Sequence, residues 1–394
     1  MKVKKIGIEG SHAAALAVKL ARVDVISAYP ITPQTHIVEK LSEYVADGEI
    51  DAEYINIESE HSALSSCMGA AAVGARTFTS TAGQGLALMH ELLFIASGNR
   101  LPIVMAVANR CLSPMINIWG DQSDMMASRD CGWIQIYAES AQEILDLVLQ
   151  AFRLAEDDRI LLPVAVNFDG FIATHVIEPI IALDQEEVDK FIPPKKFPEY
   201  ALNPDTPITL GAFGPPSIET EVKKQMEDAL CASKEVFKEI GKEFGQISGR
   251  YYDVLETYRI EDAEIAFMIM GASAGTAKAA VDKLREKNIK AGVIKLRVYR
   301  PFPKEEIADA TRNIKVLAVF DKSFCPGYLG GPLFNDCKAS LNNENVKLKV
   351  LGFVAGLGGR DITIKDFANA ADKSLQILNG AKSSNDFEFL QVRE

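Results

Sequence analysis

The sequence lacks the features that mark several large classes of protein. Its six cysteines form no CxxC pair, which argues against a local zinc knuckle or an iron–sulfur binding run and favours reduced, mostly buried thiols. A formal net charge of −12 argues against nucleic acid or an anionic membrane as the main partner. No run approaches the roughly 18 apolar residues of a membrane-spanning helix. Because Met1–Ile6 leads straight into a predicted strand, we expect a cytoplasmic protein.

The composition is that of an ordinary globular protein with more than one core. Apolar residues make up 48% of the chain and charged residues 24%, so there is enough apolar surface to bury. At 394 residues the chain exceeds the usual size of a single core, and we therefore expect two domains.

The stretch 54–110 carries the clearest prediction of fold class. Its pattern predicts strands at 54–57, 76–81 and 101–107 and helices that begin near residues 58 and 89. Strands buried on both faces that alternate with helices indicate an α/β fold with a doubly wound parallel sheet. Ligands of such sheets bind beyond the carboxyl ends of the strands. Glu60, the turn Gly83–Gln84–Gly85 and Arg110 fall at these ends, so we expect a binding site there.

Composition and periodicity divide the chain into three parts. Residues 1–180 alternate strands and helices, whereas residues 181–260 are first rich in proline and then predict one or two charged helices, as in an extended linker. Residues 261–394 form a second α/β unit, with strands predicted at 265–270, 292–298, 316–320 and 346–353. We expect the last dozen residues to be a loose or partner-docking tail.

Three further segments allow more than one interpretation. Thr32 followed by Pro33 is typical of a helix start, as N-cap and first helical residue. Asp121 and Asp124 suggest a cation site, but two carboxylates without further ligands are more often solvated or capping a helix. The segment Gly271–Gly275 could cradle a phosphate, yet it matches neither GxGxxG nor the P-loop pattern, which favours an ordinary strand-to-helix turn.

Eight short motifs, in order along nearly the whole chain, resemble the α subunit of pyruvate:ferredoxin oxidoreductase. They are AYPITP at 28–33, ESEHSA at 58–63, GQGLALMHE at 83–91, ANR at 108–110, NIWGD at 117–121, NFDGF at 167–171, RPFP at 300–303 and GLGG at 356–359. The related 2-oxoglutarate enzymes share the YPITP run but usually carry a glycine-rich, proline-containing loop where this chain has NRCLS at 109–113. That difference counts against them.

The resemblance implies a fold and a set of site residues. It implies a pyrimidine-type thiamine diphosphate domain over 1–180 and a transketolase-C-like α/β domain over 261–394. Glu60 matches the glutamate that hydrogen-bonds N1′ of the aminopyrimidine, so that the 4′-nitrogen can remove the C2 proton of the thiazolium. On pattern alone, a carboxylate favoured at a helix start is the better interpretation of Glu60, and only the match of the surrounding motifs reverses this preference.

The resemblance also assigns the substrate and the loops around it. Arg110 and Thr32 match the positions that hold the substrate carboxylate, for which a guanidinium fork is well suited. A strand-end arginine could otherwise be a surface ion pair. The cofactor-binding turn is Gly83, Gln84 and Gly85. Asp121 and Asp169 lie in candidate site loops.

The resemblance places part of the chemistry on other chains. The sequence contains no GDG followed by an Asn-Asn pair and no cluster-binding cysteines, so we expect no metal on this chain. Mg²⁺, the diphosphate anchor and the 4Fe–4S clusters would then belong to partner subunits, with thiamine diphosphate shared between chains. The implied partners are β, γ and δ subunits of a hetero-oligomer, ferredoxin, pyruvate and coenzyme A.

The implied activity is an oxidoreductase reaction of anaerobic metabolism. It is the CoA-dependent oxidative decarboxylation of pyruvate to acetyl-CoA, with electrons passed to ferredoxin. A branched-chain enzyme that acts on 2-oxoisovalerate is the alternative, because a methylene or two in an apolar pocket is worth only ~1–3 kcal/mol. A non-catalytic scaffold subunit is the alternative from another class.

Overall fold

The computed structural model describes residues 4–112, 114–195, 201–342, 348–381 and 386–393. The strands are β1 (Lys4–Glu9), β2 (Val25–Ser27), β3 (Glu53–Ile55), β4 (Thr77–Thr81), β5 (Ile103–Asn109), β6 (Ile134–Tyr137), β7 (Val164–Asp169), β8 (Ile177–Ala182), β9 (Leu255–Tyr258), β10 (Ile265–Ile269), β11 (Ala291–Leu296), β12 (Val298–Arg300), β13 (Val316–Asp321), β14 (Lys349–Val354) and β15 (Phe387–Phe389).

Helices connect most of the strands. They are α1 (Gly10–Leu20), α2 (Thr35–Ala46), α3 (Glu60–Ala72), α4 (Gly83–Leu88), α5 (His90–Gly98), α6 (Ser123–Ala127), α7 (Ala141–Ala155), α8 (Gln185–Phe191), α9 (Glu219–Ser248), α10 (Ser273–Glu286), α11 (Lys304–Ala310), α12 (Pro332–Leu341) and α13 (Ile364–Leu378). Among the described residues, no helix combines the length and the apolar character needed to cross a bilayer.

The first sheet has the strand order β12–β6–β7–β5–β4–β2–β3. All neighbours are parallel except β12, which runs antiparallel to β6. Alternate residues of β5 point to opposite faces, so Val104 packs with α1 and α7 while Met105 packs with α3 and α5. Helices therefore cover both faces, as the continuous apolar run at 101–107 predicts. This sheet and its helices are called the first unit below.

The second sheet has the order β15–β14–β13–β10–β11–β9, with β9 antiparallel to β11 and the other pairs parallel. It and its helices are called the second unit. The prediction of two α/β units built on parallel sheets is confirmed, and each sheet has one antiparallel edge strand that the sequence pattern did not predict.

Several local predictions are wrong. The strand predicted at 292–298 ends at Leu296, and Val298–Arg300 crosses to the first sheet as β12. The tail is not loose throughout, because Phe387–Phe389 pairs with β14. The strand predicted at the start of the chain is present as β1, which pairs antiparallel with β8 outside the two main sheets. Residues 346 and 347 of the predicted strand at 346–353 lie outside the described residues.

The middle of the chain contributes structure to both units. Helix α9 is a single helix of 30 residues, and its apolar face, which includes Phe237, Ile240 and Phe244, is buried in the core of the first unit. Strand β9 follows within the same stretch and completes an edge of the second sheet. The division into residues 1–180, 181–260 and 261–394 stays a proposal.

Buried charges join the two units. Glu143 at the start of α7 accepts a hydrogen bond from Lys295 Nζ at 2.6 Å and one from Arg297 Nη2 at 3.0 Å. Carboxylate oxygens of Glu139, Glu143 and Glu256 lie within 4.8 Å of one another, as a metal site would require. Here the cationic side chains supply the balancing charge, so this cluster is an ion-pair network between units.

Candidate functional site

The carboxyl ends of β4, β5 and β7 form one edge of the first sheet, and the segments that follow them pack closely. Gly170 N–H, after β7, donates to the carbonyl of Asn109 at the end of β5 at 3.1 Å. A Cβ atom on Gly170 would lie 2.6 Å from that carbonyl oxygen and 2.7 Å from Pro33 Cγ. Glycine is thus needed at position 170 for the loops to approach each other.

Glu60 begins α3, whose N-cap is Ser59, and its side chain is only 7% exposed. A Cβ atom on Gly85 would lie 2.5 Å from Glu60 Oε1 and 2.6 Å from Thr81 Oγ1. The Thr81 hydroxyl has no hydrogen-bond partner, and no contact within the described part of the chain pairs the Glu60 carboxylate. The Glu60 carboxylate therefore keeps its acceptor capacity free of the described protein groups and could accept a hydrogen bond from a ligand.

The predicted turn at Gly83–Gln84–Gly85 is the beginning of α4. Gly83 has a φ of +47°, and a Cβ atom there would lie 2.9 Å from Arg110 Cδ. Gln84 is exposed, whereas both glycines are buried. The glycines therefore let the backbone approach Glu60 on one side and Arg110 on the other.

Arg110 lies directly after β5 and is 7% exposed. Its Nε donates to the carbonyl of Asn117 at 3.0 Å, and its Nη1 donates to the carbonyl of Thr32 at 3.0 Å. Among the described residues no carboxylate forms an ion pair with Arg110, and its guanidinium donates to two backbone carbonyls. The surface ion pair that a strand-end arginine could form is therefore absent from this part of the chain.

The structure brings Thr32 and Arg110 together, as their shared role in the prediction requires. The helix-start interpretation of Thr32 and Pro33 is wrong, because α2 begins at Thr35 with Gln34 as its N-cap. The side chain of Gln34 turns inward and donates to the carbonyl of Ser80 at 3.2 Å. Thr32 is left exposed at the edge of the sheet.

Asp124, which the sequence suggested only as half of a cation site with Asp121, connects two segments of the candidate site. Its Oδ2 accepts hydrogen bonds from the backbone N–H groups of Arg110 at 2.8 Å and Gly83 at 3.0 Å. Its Oδ1 accepts from Asn109 Nδ2 at 2.9 Å. Burial raises the pKa of Asp124 to about 7, although these donors favour the charged form and act against the shift. No sequence pattern marks such a residue, because its main partners are backbone groups of distant segments.

Asp121 and Asp169 are buried and connect the first unit to the second. Asp121 Oδ2 accepts from the backbone N–H of Gly358 at 2.9 Å, and its Oδ1 accepts from that of Ser123 at 2.9 Å. Asp169 forms an ion pair with Lys322 and accepts from Ala272 N–H at 2.7 Å. Asp121 and Asp124 are therefore not solvated, whereas the helix-capping alternative fits Asp121, which accepts the N–H of the first residue of α6. Membership of Asp121 and Asp169 in the site stays a prediction.

The segment Gly271–Gly275 is a strand-to-helix turn that leads into α10. A Cβ atom on Gly271 would lie 2.5 Å from Asp169 Oδ2, so a carboxylate already occupies the position that a phosphate would need. A carboxylate beside the turn would repel an anion. The ordinary turn is thus the better interpretation.

Two family models match the chain. The model described as "Pyruvate flavodoxin/ferredoxin oxidoreductase, thiamine diP-bdg" matches residues 16–242, and "Pyruvate:ferredoxin oxidoreductase core domain II" matches residues 263–367. The chain belongs to the pyruvate flavodoxin/ferredoxin oxidoreductase family. The predicted fold class, a thiamine-diphosphate-binding α/β domain followed by a second α/β domain, is confirmed.

Members of this family resemble the chain over almost its full length. A protein named pyruvate synthase subunit PorA from Pyrococcus furiosus is 48% identical over 393 residues, covering 100% of this chain and 99% of its own. One named ketoisovalerate oxidoreductase subunit VorA from Pyrococcus horikoshii is 44% identical over 393 residues, covering 99% of this chain and 98% of its own.

A solved structure has the same fold. It is titled a 2-oxoglutarate:ferredoxin oxidoreductase from Magnetococcus marinus with 2-oxoglutarate, coenzyme A and succinyl-CoA bound, and it matches with a TM-score of 0.74 at 19% identity. The match covers 94% of this chain, which spans 65% of the length of that structure's chain. At this identity the likeness concerns the fold alone.

Proposed function

We propose that this chain is the subunit of a pyruvate:ferredoxin oxidoreductase that activates the pyrimidine of thiamine diphosphate and holds the substrate carboxylate. The observation that carries the proposal is that Glu60 and Arg110, two buried charges with no ion pair among the described residues, lie on opposite sides of the Gly83–Gly85 turn. The Glu60 carboxylate can accept a hydrogen bond from a ring nitrogen, and the Arg110 guanidinium can bind the carboxylate of a 2-oxo acid.

The residues around Glu60 fit the pyrimidine end of thiamine diphosphate. Glu60 and the Thr81 hydroxyl are both buried, and Gly85 keeps the space between them free of side-chain atoms. The bound cofactor would supply the carbon nucleophile that attacks the 2-oxo carbon. Glu60 would hold the proton at the pyrimidine ring nitrogen, and this hydrogen bond makes the exocyclic nitrogen basic enough to act.

Arg110 and Thr32 would orient the substrate. Two carbonyl groups fix the Nε and Nη1 atoms of Arg110, which points the planar guanidinium in one direction. A carboxylate placed there would gain a charge-assisted hydrogen bond and would relieve the uncompensated positive charge. Thr32 is exposed beside it and can offer its hydroxyl.

Partner chains would complete the reaction. The proposed β subunit supplies the diphosphate anchor, Mg²⁺ and a 4Fe–4S cluster, and further cluster-bearing subunits pass electrons to ferredoxin. Coenzyme A takes up the acyl group. The support is the missing GDG and cluster-cysteine motifs of this chain and the full-length similarity to proteins named as subunits. The cytoplasmic location stays a prediction.

The test is to express the chain alone and then with a β subunit. Alone, it should carry no iron and bind thiamine diphosphate with Mg²⁺ weakly or not at all in calorimetry, because half of the site is missing. Addition of a β subunit should restore decarboxylation that depends on a 2-oxo acid. Tight stoichiometric binding by the lone chain, or electron transfer by it, would show that the site is not shared.

A branched-chain substrate is the second candidate, since the ketoisovalerate relative is 44% identical against 48% for the pyruvate synthase relative. Because pyruvate and 2-oxoisovalerate differ by only a few carbon atoms, few substitutions in an apolar pocket would change the preferred substrate. Comparison of kcat/KM for pyruvate and 2-oxoisovalerate in the assembled complex decides between them. We expect pyruvate to give the higher value.

A further inference from the structure

We infer that Asp124 is a positioning residue that fixes the cofactor-binding turn and the substrate arginine relative to each other. The inference rests on the proposed function, because it concerns how Gly83 and Arg110 come to lie on either side of one reaction space. Asp124 does not touch either ligand in this proposal. It acts through the backbone of the two segments that do.

The geometry of the carboxylate supports this role. Asp124 lies on the short helix α6, and one oxygen, Oδ2, accepts the N–H groups of both Gly83 and Arg110, at 3.0 and 2.8 Å. Gly83 follows β4 and Arg110 follows β5, so one atom bridges the ends of two neighbouring strands. A shared acceptor fixes the distance between the two donors, which separate hydrogen bonds would not do.

The other oxygen holds the carboxylate in place. Oδ1 accepts from Asn109 Nδ2 at 2.9 Å and from the backbone N–H of Met125 at 2.8 Å. Asn109 also donates to Asn167 Oδ1 at 3.2 Å, which ties the arrangement to β7. With four donors and 1% exposure, the side chain has no freedom to rotate.

The contact between the two segments is close enough for small shifts to matter. A Cβ atom on Gly83 would lie 2.9 Å from Arg110 Cδ, so the turn and the arginine stem already touch. The head of Arg110 is fixed separately by the carbonyls of Thr32 and Asn117. If the hydrogen bond from Arg110 N–H to Asp124 is lost, the backbone of Arg110 can shift. The two carbonyls alone then no longer hold the guanidinium at one angle. A misplaced orienting group costs much of the rate even when it is far from the bond that breaks.

The test uses Asp124→Asn in the assembled complex. An amide keeps one acceptor oxygen but turns its NH₂ group towards donors, so part of the hydrogen bonding is lost. We expect the KM for pyruvate to rise about ten- to a hundredfold, with a smaller fall in kcat. Hydrogen–deuterium exchange should become faster in both the peptide containing Gly83 and the peptide containing Arg110.

The matched control is Asp321→Asn. Asp321 is equally buried and accepts the N–H groups of Leu333 and Phe334, but it lies in the second unit and contacts neither segment. It should leave the KM for pyruvate and both exchange rates unchanged. The double variant Arg110→Lys with Asp124→Asn should lose less kcat/KM than the product of the two single losses, because part of the Asp124 effect acts through the arginine.

The outcomes are distinct. Unchanged exchange at both peptides, or faster exchange with an unchanged KM, would overturn the inference. Full additivity in the double variant would do the same. If the Asp124→Asn complex does not assemble, hydrogen–deuterium exchange is measured in the unaltered complex. Fast exchange of the Gly83 or the Arg110 amide rules out the shared hydrogen bonding to Asp124. Slow exchange of both amides supports it. A complex that turns over no 2-oxo acid would defeat the proposed function, while the exchange data would still report on Asp124.

Discussion

The two sheets have the same architecture but end on chemically different edges. At the carboxyl edge of the first sheet, Glu60 and Arg110 are buried without a partner of opposite charge in the described chain. At the corresponding edge of the second sheet, Asp321 accepts hydrogen bonds from the first residues of α12, and Lys322 pairs with Asp169 of the first unit.

This contrast shows how one fold serves two purposes. The polar groups that follow parallel strands converge at one edge whatever their use. Where protein groups satisfy them, the edge becomes an attachment surface between domains. Where they are left unsatisfied, the fold bears an energetic cost that a ligand can relieve. The four predictions below test the assignment of each edge.

The largest effect is expected at Glu60. Glu60→Gln should leave the assembled complex folded and able to hold thiamine diphosphate, whose diphosphate is anchored elsewhere. The kcat for acetyl-CoA formation should fall by about 10²–10⁴, because the pyrimidine loses its proton partner. Glu58→Gln, an exposed change two residues earlier, is the control and should keep full activity. A Glu60→Ala complex with near-normal kcat would show that another carboxylate does the work and would leave room for a scaffold subunit.

A change at Lys322 tests whether the carboxyl edge of the second sheet attaches the second unit to the first. Lys322→Met leaves Asp169 as a buried charge without its cation, so the free energy of unfolding of the complex should fall by about 3–5 kcal/mol in urea titration. Lys338→Met removes a lysine from an exposed pair with Asp386 and should cost about 1 kcal/mol or less. Equal losses in the two variants would mean that the buried pair does not fasten the units.

Arg110→Lys tests whether the carboxyl edge of the first sheet binds the substrate. A point charge replaces a planar fork, so kcat/KM for pyruvate should fall about ten- to a hundredfold, equivalent to ~1.5–3 kcal/mol, mainly through a higher KM. Arg22→Lys, which changes an exposed pair with Asp189, is the control and should show the kinetics of the unaltered complex. Steady-state kinetics that do not change in Arg110→Lys would remove this residue from the site.

The smallest effect is a pH dependence that arises in the second unit. Burial raises the pKa of Asp321 to about 7, above an ordinary value of 3.8. The folded state therefore binds more protons than the unfolded state between these values, and stability from this group is lost as pH rises through about 7. Asp321→Asn should flatten the slope of unfolding free energy against pH by up to about 1.4 kcal/mol per unit. An identical slope in the variant would contradict the assignment.

The alternation of strands and helices was sufficient to predict that Glu60, the Gly83–Gly85 turn and Arg110 lie at one edge of the first sheet. Apolar runs such as 101–107 identify buried parallel strands, and parallel strands bring their carboxyl ends together. Glu60, Gly83 and Arg110 lie near one another for this reason. Their chemical roles came from the family resemblance and stay predictions.

The features that were not predicted depend on contacts between distant segments. The run at 292–298 has the pattern of a single strand, and nothing local shows that Val298 pairs with a different sheet from Leu296. The burial of Asp169 depends on Lys322, which lies far along the chain. Asp124 binds backbone N–H groups, which every residue type except proline offers, so no side-chain pattern could reveal its partners.

The crossing of β12 into the first sheet has a consequence for biosynthesis. While the ribosome is still making the second unit, β6 has no neighbour on its outer side, and Glu143 has neither Lys295 nor Arg297 beside it. The first unit thus reaches its final state only after Arg300 has emerged, late in translation. A gene cut between the two units would release a first half with an exposed strand edge that is prone to pair with other chains.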